Sequence, residues 1–310
     1  MNRERTIRVA VLQAAPVPFD LEASTDKASR LIREAGANGA RLVLLPEAFL
    51  PAYPRGLGFG TIVGNRTRAG RDLWKWYWEQ AVEVPGPATK WLAAASRDAG
   101  THTAIGVVER DRGTLYCTFL IFGPDGSLLH RHRKLKPTAQ ERVIWGEGDG
   151  SSLRVVDTSL GRVGGLICWE NYMPLARTAL YQQGVEIYLA PTADPRESWV
   201  ATMRHIGCEG RCFVLGCNQY LTRSMYPPEL AEEVRDQPEV MCRGGSVIVS
   251  PFGDVLAGPV WDREETLYAT LDLDDVVRAK MDLDVVGHYS RPDVFEFGVK
   301  ARPYEAPPLQ

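Results

Sequence analysis

The chain has 310 residues, of which 45% are hydrophobic and 24% charged, and its formal net charge at pH 7 is −3. This composition is ordinary for a globular protein and excludes a disordered chain or a fibrous repeat. The 36 basic and 39 acidic residues give no strong positive field, so nucleic acid is not an expected partner. No apolar run approaches the roughly eighteen residues of a membrane helix, so no membrane contact is expected.

The N-terminal segment predicts a strand rather than an export signal. Its apolar stretch is broken by Gln13 and ended by Pro16, which makes it shorter than the apolar region of a signal peptide. We therefore expect a cytoplasmic protein, and in that compartment its six cysteines are predicted to be reduced.

A short segment rich in cysteine raises the question of a metal site. It contains His205, Cys208, Cys212 and Cys217, but no paired C-x-x-C spacing. Because residues 211–216 have a strand pattern, we interpret these cysteines as buried small hydrophobic residues and predict no metal.

Strand and helix patterns alternate along the first half of the chain. Strands are predicted at 7–12, 41–45, 102–109, 115–122 and 128–133, and helices at 22–38 and 88–99. The turn sequence at 124–126, Pro-Asp-Gly, indicates that the last two of these strands form a hairpin. Four aromatic residues, Trp74, Trp76, Tyr77 and Trp78, are interpreted as packing against the core or a partner subunit, with a pocket wall as the alternative.

The second half repeats the alternation. Strands are predicted at 163–167, 186–190, 212–217, 246–249, 255–257 and 266–271, and helices at 174–183, 199–210 and 274–281. The polar segment 222–242 is interpreted as a long loop rather than a domain boundary. The sequence thus predicts one α/β domain over residues 1–310, with mixed sheets and a short tail after about residue 296.

Three segments place a reactive side chain directly after a predicted strand. They are LLPEAF with Glu47, RHRKLKPT with Lys134 and GLICWENYMP with Cys168. Sites in α/β sheets gather beyond the carboxyl ends of strands. A thiol needs a base, a buried carboxylate with a raised pKa can serve as one, and a lysine can stabilise developing negative charge. His130 and His132, on the strand before Lys134, are predicted to face solvent.

These segments resemble the three catalytic boxes of the nitrilase superfamily, the carbon–nitrogen hydrolases. Further strings resemble its nitrilase branch in particular, and the resemblance extends over nearly the whole chain. They are PAYPRG at 51–56, WGEGDG at 145–150, GRCFVL at 210–215 and GHYSRPDVF at 287–295.

The resemblance implies a four-layer αββα sandwich, a Glu-Lys-Cys centre and no cofactor. It implies that Glu47 is the general base, Lys134 the electrostatic stabiliser and Cys168 the nucleophile, with Glu141 as a second glutamate beside the lysine. The backbone N–H of Trp169 is expected to donate to the oxyanion. Tyr53 and Tyr172 are candidate substrate contacts, with local packing as the alternative. A homodimer that can extend into larger or spiral oligomers is also implied.

On this basis the sequence predicts a nitrilase that hydrolyses an organic nitrile through a thioimidate and a thioester on cysteine. An amidase or carbamoylase of the same superfamily, and a cyanide-hydrolysing enzyme, remain alternatives because they use the same trio. A catalytically silent binding protein on this fold is disfavoured by the intact Glu47, Lys134 and Cys168. A Cys-His hydrolase is disfavoured because none of the five histidines lies in a partner motif.

Overall fold

A computed structural model describes residues 5–300. The first half contains β1 (Thr6–Gln13), α1 (Leu21–Ala37), β2 (Leu42–Leu44), β3 (Thr61–Ile62), β4 (Asn65–Arg66), α2 (Arg68–Glu79), α3 (Pro87–Ala99), β5 (His102–Asp111), β6 (Thr114–Phe122) and β7 (Leu128–Arg133). The second half contains β8 (Val156–Thr158), β9 (Gly161–Gly165), α4 (Pro174–Gln182), β10 (Ile187–Pro191), α5 (Glu197–Gly210), β11 (Phe213–Cys217), β12 (Tyr220–Thr222), β13 (Val240–Val249), β14 (Val255–Trp261), β15 (Glu265–Asp272) and α6 (Asp274–Lys280). Within residues 5–300, no helix combines the length and apolar character needed to cross a bilayer.

The strands form two large mixed sheets. The first has the order β15-β1-β2-β5-β6-β7, with β1, β2 and β5 parallel and the other neighbours antiparallel. The second has the order β12-β13-β11-β10-β9-β8, with β14 also paired to β13 and with β9, β10 and β11 parallel. The chain returns to the first sheet at β15, which pairs with β1 over its whole length.

Three apolar clusters separate four layers. The central cluster joins the inner faces of the two sheets, with Val9 and Leu44 on one side and Leu189 and Leu215 on the other. On the outer face of the first sheet, α1 and α3 pack together through residues such as Ile32. On the outer face of the second sheet, α4 and α5 cover β10 and β11. Two sheets with helices on both outer faces make the predicted αββα sandwich.

Most elements of the sequence prediction are present with shifts of a few residues at their ends. Helix α1 begins after Asp20, whose carboxylate accepts from the Ala23 N–H, and ends at Ala37 with Asn38 as its cap, one residue before the predicted end. The segment between β12 and β13 carries only two short 3₁₀ helices, at 223–225 and 228–230. Residues 301–310 of the predicted tail lie outside the described part of the chain.

Helix α2 is the main element that the sequence prediction left out. It carries the four aromatic residues, and its Thr67 cap accepts from the Gly70 N–H. Tyr77 is fully buried and donates to the carbonyl of Ala52, while Trp76 packs edge-on against Phe19 at 5.1 Å. These aromatic side chains therefore anchor α2 to the core beside the segment that follows Glu47.

Candidate active site

The two sheets bring their strand ends together at one edge of the sandwich. Glu47 follows β2 and Lys134 follows β7, so both come from the first sheet. Cys168 follows β9 and Thr192 follows β10, so both come from the second sheet. All four side chains are buried, with at most 5% of any of these residues exposed. The predicted trio is therefore assembled where the carboxyl ends of strands from both sheets meet.

The loop that carries Glu47 is held against β5 by a glycine. The Gly106 N–H donates to Pro46, and the Gly106 carbonyl accepts from Phe49. A Cβ at Gly106 would lie within 2.6 Å of the Glu47 Cα and the Ala48 nitrogen. Only glycine allows this approach, so Gly106 fixes the main chain around the candidate base.

The candidate nucleophile occupies a strained turn. Cys168 has a φ of +49°, in the left-handed region that non-glycine residues seldom adopt. It begins a short 3₁₀ helix, Cys168–Tyr172. The Asn171 side chain donates to the carbonyls of Leu166 and Cys168 at 2.9 and 2.8 Å, and Tyr188 donates to its oxygen. Asn171 thus stabilises the turn that directs the thiol into the site, which is where strained backbone is commonly found.

Lys134 lies between two carboxylates at the centre of the site. Its Nζ donates to Glu47 Oε1 at 2.7 Å and to Glu141 Oε2 at 2.8 Å. The other oxygen of Glu141 accepts from the Tyr53 hydroxyl at 2.8 Å, and the Thr138 N–H donates to Oε2. Glu141 is thereby directed at the lysine, as the sequence predicts, rather than paired with a surface cation.

Burial governs the protonation of this cluster. It raises the pKa of Glu47, although the Lys134 charge acts in the opposite direction. Burial also raises the pKa of the Cys168 thiol, and the Glu47 charge adds to the effect. Burial alone would lower the pKa of Lys134, but nearby negative charges, led by Glu47, hold it well above its usual value. The resting site thus combines a neutral thiol with a charged lysine, and its carboxylate is more basic than in water.

The prediction that His130 and His132 face solvent is wrong. Both are buried, and burial lowers the pKa of His130 to about 3. His132 contacts both oxygens of Glu170 at 3.1 Å, and the same carboxylate accepts from the N–H groups of Leu135 and Ile167. Glu170 therefore links the residue after Lys134 to the residue before Cys168. An alternating strand pattern does not reveal that a second sheet covers these histidines.

The aromatic residues after the nucleophile lie at the outer rim of the site. The Trp169 indole donates to Asp194 at 2.9 Å, and the Arg196 guanidinium lies over its ring at 4.8 Å. Tyr172 packs edge-on against Trp169 at 5.8 Å and against Trp199 at 6.1 Å. The ring contacts of Tyr172 are therefore those of local packing. Tyr53, whose hydroxyl donates to Glu141, lies instead at the catalytic cluster.

A cavity of about 410 Å³ adjoins the cluster through Tyr53 and Glu141. Its wall continues along the segment after Tyr53, including Arg55, and along Val143 and Ile144. This volume lies within the usual range for small-molecule sites. Among residues 5–300, no group of three or more His, Cys, Asp or Glu side chains is arranged to hold a metal ion.

Sequence reasoning predicted the trio but missed three side chains that touch it. The Cys117 thiol lies 3.5 Å from Glu47 Oε1, and its carbonyl accepts from the Lys134 N–H. Thr192 lies 3.2 Å from the sulfur of Cys168, and Asn171 stabilises the turn of that cysteine. Thr192 and Asn171 were detectable, since the first lies two residues after a predicted strand and the second lies inside the cysteine box. Cys208 is half-buried rather than buried, in contrast to the other five cysteines.

The fold and this cluster are those of a carbon–nitrogen hydrolase. Residues 8–281 match the family described as carbon-nitrogen hydrolase, and the chain belongs to that family.

Similar proteins extend over almost the full chain. It is 54% identical over 300 residues to an aliphatic nitrilase of Sinorhizobium fredii. The aligned residues cover 96% of this chain and 97% of that relative. It is 52% identical over 304 residues to a bifunctional nitrilase/nitrile hydratase of Lupinus angustifolius. The aligned residues cover 96% of this chain and 87% of that relative. The fold is similar to that of a solved carbon-nitrogen hydrolase from Helicobacter pylori, with a TM-score of 0.74 and 21% sequence identity. The superposition covers 94% of this chain and 97% of the Helicobacter pylori chain.

Proposed function

We propose that this protein is a nitrilase that converts an organic nitrile to the carboxylic acid and ammonia without a cofactor. The observation that carries the proposal is the buried cluster in which Lys134 lies between Glu47 and Glu141 beside the Cys168 thiol. The high identity to curated nitrilases supports the choice of nitriles within the family.

The first half of the reaction forms a covalent intermediate. Glu47 accepts the thiol proton of Cys168, the sulfur adds to the nitrile carbon, and the protonated Glu47 passes that proton to the nitrile nitrogen. The product of this step is a thioimidate on the enzyme. Lys134 and the backbone N–H of Trp169 stabilise the negative charge that develops on the nitrogen. Since Lys134 keeps its charge when buried, it can do so without a proton from solvent.

The second half removes the nitrogen and then the acid. Water adds to the thioimidate, ammonia leaves, and a thioester remains on Cys168. A second water, activated by a glutamate, attacks the thioester and releases the carboxylic acid. Splitting one difficult hydrolysis into two easier steps is the advantage of covalent catalysis.

We expect the enzyme to hydrolyse at least one nitrile with a higher kcat/KM than the corresponding amide. The strings CWENYMP and PAYPRG, which resemble the nitrilase branch, are the basis of this prediction. The measurement is a panel of aliphatic, aromatic and arylaliphatic nitriles, each paired with its amide, with cyanide included and both ammonia and acid quantified. If amides are consumed while every nitrile and cyanide are left untouched, the protein is an amidase.

We also propose that the protein works as a homodimer or a larger homo-oligomer. Met173 and Leu175 are 38% and 69% exposed at the start of α4, and large exposed apolar side chains favour association. We expect light scattering to give at least twice the mass of one chain. A monomer at the concentration of the activity assay would contradict the dimer.

The proposed location is the cytoplasm. All six cysteines are free in the structure. The nucleophile must remain a thiol to act, and a reducing compartment maintains that state.

A further inference from the structure

Thr192 is held rigidly at the edge of the second sheet. It is the first residue after β10, it is fully buried, and its N–H donates to the Cys217 carbonyl at 2.8 Å. Its hydroxyl oxygen accepts from the Asp194 N–H at 3.0 Å. With its oxygen engaged in this way, the hydroxyl group has a fixed position and its hydrogen remains to be donated.

The hydrogen of Thr192 is directed at the nucleophile. Thr192 Oγ1 lies 3.2 Å from Cys168 Sγ with the geometry of a hydroxyl donating to sulfur. The first sheet contributes Glu47, whose Oε1 accepts from Lys134 and Cys117, while its Oε2 is buried without a hydrogen-bond partner. Glu47 Oε2 is therefore the oxygen left to accept the thiol proton, and Thr192 is a donor to the sulfur that loses it.

We propose that the Thr192 hydroxyl is a catalytic hydrogen-bond donor that stabilises the Cys168 sulfur whenever it carries negative charge. The proposal rests on the proposed nitrile hydrolysis, because it assigns Thr192 a part in the same reaction. Sulfur gains charge when the thiol is deprotonated for attack. It gains charge again whenever a carbon–sulfur bond breaks.

The same donor influences which product forms. After water adds to the thioimidate, one carbon carries the sulfur, a hydroxyl and an amino group. If the carbon–nitrogen bond breaks, nitrogen takes a proton and leaves as ammonia, the hydroxyl loses its proton, and a thioester remains. If the carbon–sulfur bond breaks, its electron pair stays on sulfur, the hydroxyl loses its proton to Glu47, Glu47 passes a proton to the sulfur, and an amide is released. A hydrogen bond to sulfur makes the thiolate a better leaving group and so favours the amide.

Several ionisable groups act on Cys168 besides Thr192. Burial raises the pKa of the Cys168 thiol, the charges of Glu47 and Glu141 raise it further, and Lys134 and the Thr192 hydrogen bond lower it. Tyr53, Arg55 and Arg196 also interact electrostatically with Cys168. A change confined to the Thr192 hydroxyl removes none of these charges. It takes away the donor to Cys168 together with the acceptor of the Asp194 N–H.

The test compares Thr192→Val, which removes the hydroxyl and keeps the shape, with Thr192→Ser, which keeps the hydroxyl. Thr103→Val on β5 is the matched control, since Thr103 is another fully buried threonine and its hydroxyl contacts Thr101. The first readout is the rate at which iodoacetamide alkylates Cys168 as a function of pH, followed by the mass of the peptide that contains it. The second is kcat/KM for nitrile hydrolysis, with amide and acid measured separately.

We expect Thr192→Val to lower kcat/KM roughly 10- to 100-fold, the effect of losing one hydrogen bond to a charged atom. We expect its alkylation midpoint to move to higher pH and its amide share, where the unmodified enzyme releases amide, to fall. Thr192→Ser and Thr103→Val should stay within about threefold of the unmodified enzyme, because neither removes a donor to sulfur.

A folded Thr192→Val enzyme with unchanged kcat/KM and alkylation midpoint would overturn the proposal. So would an equal loss in Thr192→Ser, since that outcome indicates packing rather than hydrogen bonding. If the unmodified protein consumes no nitrile, the proposed function fails. The alkylation experiment still decides whether Thr192 donates to the sulfur, because it needs no substrate.

Discussion

Replacing Cys168 by alanine is expected to abolish nitrile turnover, with a loss of at least about 10⁴-fold in kcat. The sulfur forms the covalent bond to substrate in both intermediates, and no other described thiol lies at the same turn facing Glu47 and Thr192. The side chain is small and almost fully buried, so its removal leaves Lys134 between its carboxylates and should not unfold the protein. The measurement is ammonia release under saturating nitrile, with thermal unfolding as the check on folding.

Three of the other five cysteines provide internal controls. Cys208 is half-buried, with its thiol near the Phe252 carbonyl, and Cys212 is buried in the outer cluster under α5, so alanine at either should leave turnover intact. Cys117 contacts Glu47, and we expect its replacement to weaken turnover without abolishing it. Substantial ammonia release by a folded Cys168→Ala enzyme would refute the covalent mechanism.

Periodicity in the sequence predicted the order of strands and helices well where apolar runs are continuous. The apolar runs 102–109 and 115–122 correspond to β5 and β6. Both strands are mostly buried, and a continuous apolar run is the sequence pattern that a buried strand produces. Helix α2 was missed because its sequence carries three tryptophans and a tyrosine among charges, so composition concealed the helical spacing. The pairing of β15 with β1 also could not be predicted from the local sequence pattern, because it joins residues about 260 positions apart.

The site was predictable as far as its residues follow strands. Glu47, Lys134 and Cys168 each lie within three residues of the end of a strand, and the resemblance to a known family supplied their roles. What no pattern could supply is the lateral order of the strands, which places Cys117 at Glu47 in the first sheet and Thr192 at Cys168 in the second. Nor could it supply the meeting of the two sheets, which brings Cys168 to Glu47. The burial of His132 and its contact with Glu170 have the same cause, because both depend on the second sheet covering the first.

Glu141 is the fourth member of the cluster, and its charge keeps Lys134 from pairing with Glu47 alone. The lysine donates to Glu47 at 2.7 Å and to Glu141 at 2.8 Å, so the two carboxylates share one ammonium. If Glu141 loses its charge, Lys134 interacts more strongly with Glu47 and lowers its basicity toward the thiol. The lysine also becomes less well directed at the nitrogen of the substrate.

Glu141→Gln is therefore expected to fold and to lose at least about 100-fold in kcat, equivalent to about 2.7 kcal/mol of transition-state stabilisation. The glutamine oxygen can still accept from Lys134 and the Thr138 N–H, while its amide turns toward the Tyr53 hydroxyl, which can accept. Tyr53→Phe is the comparison variant, because it removes the hydroxyl that contacts Glu141 and leaves the charge of Glu141. We expect its loss of kcat to be smaller than that of Glu141→Gln. Near-normal kcat in a folded Glu141→Gln enzyme would show that the carboxylate only holds the loop, whereas a 100-fold loss confined to Glu141→Gln would show that its charge acts in the reaction.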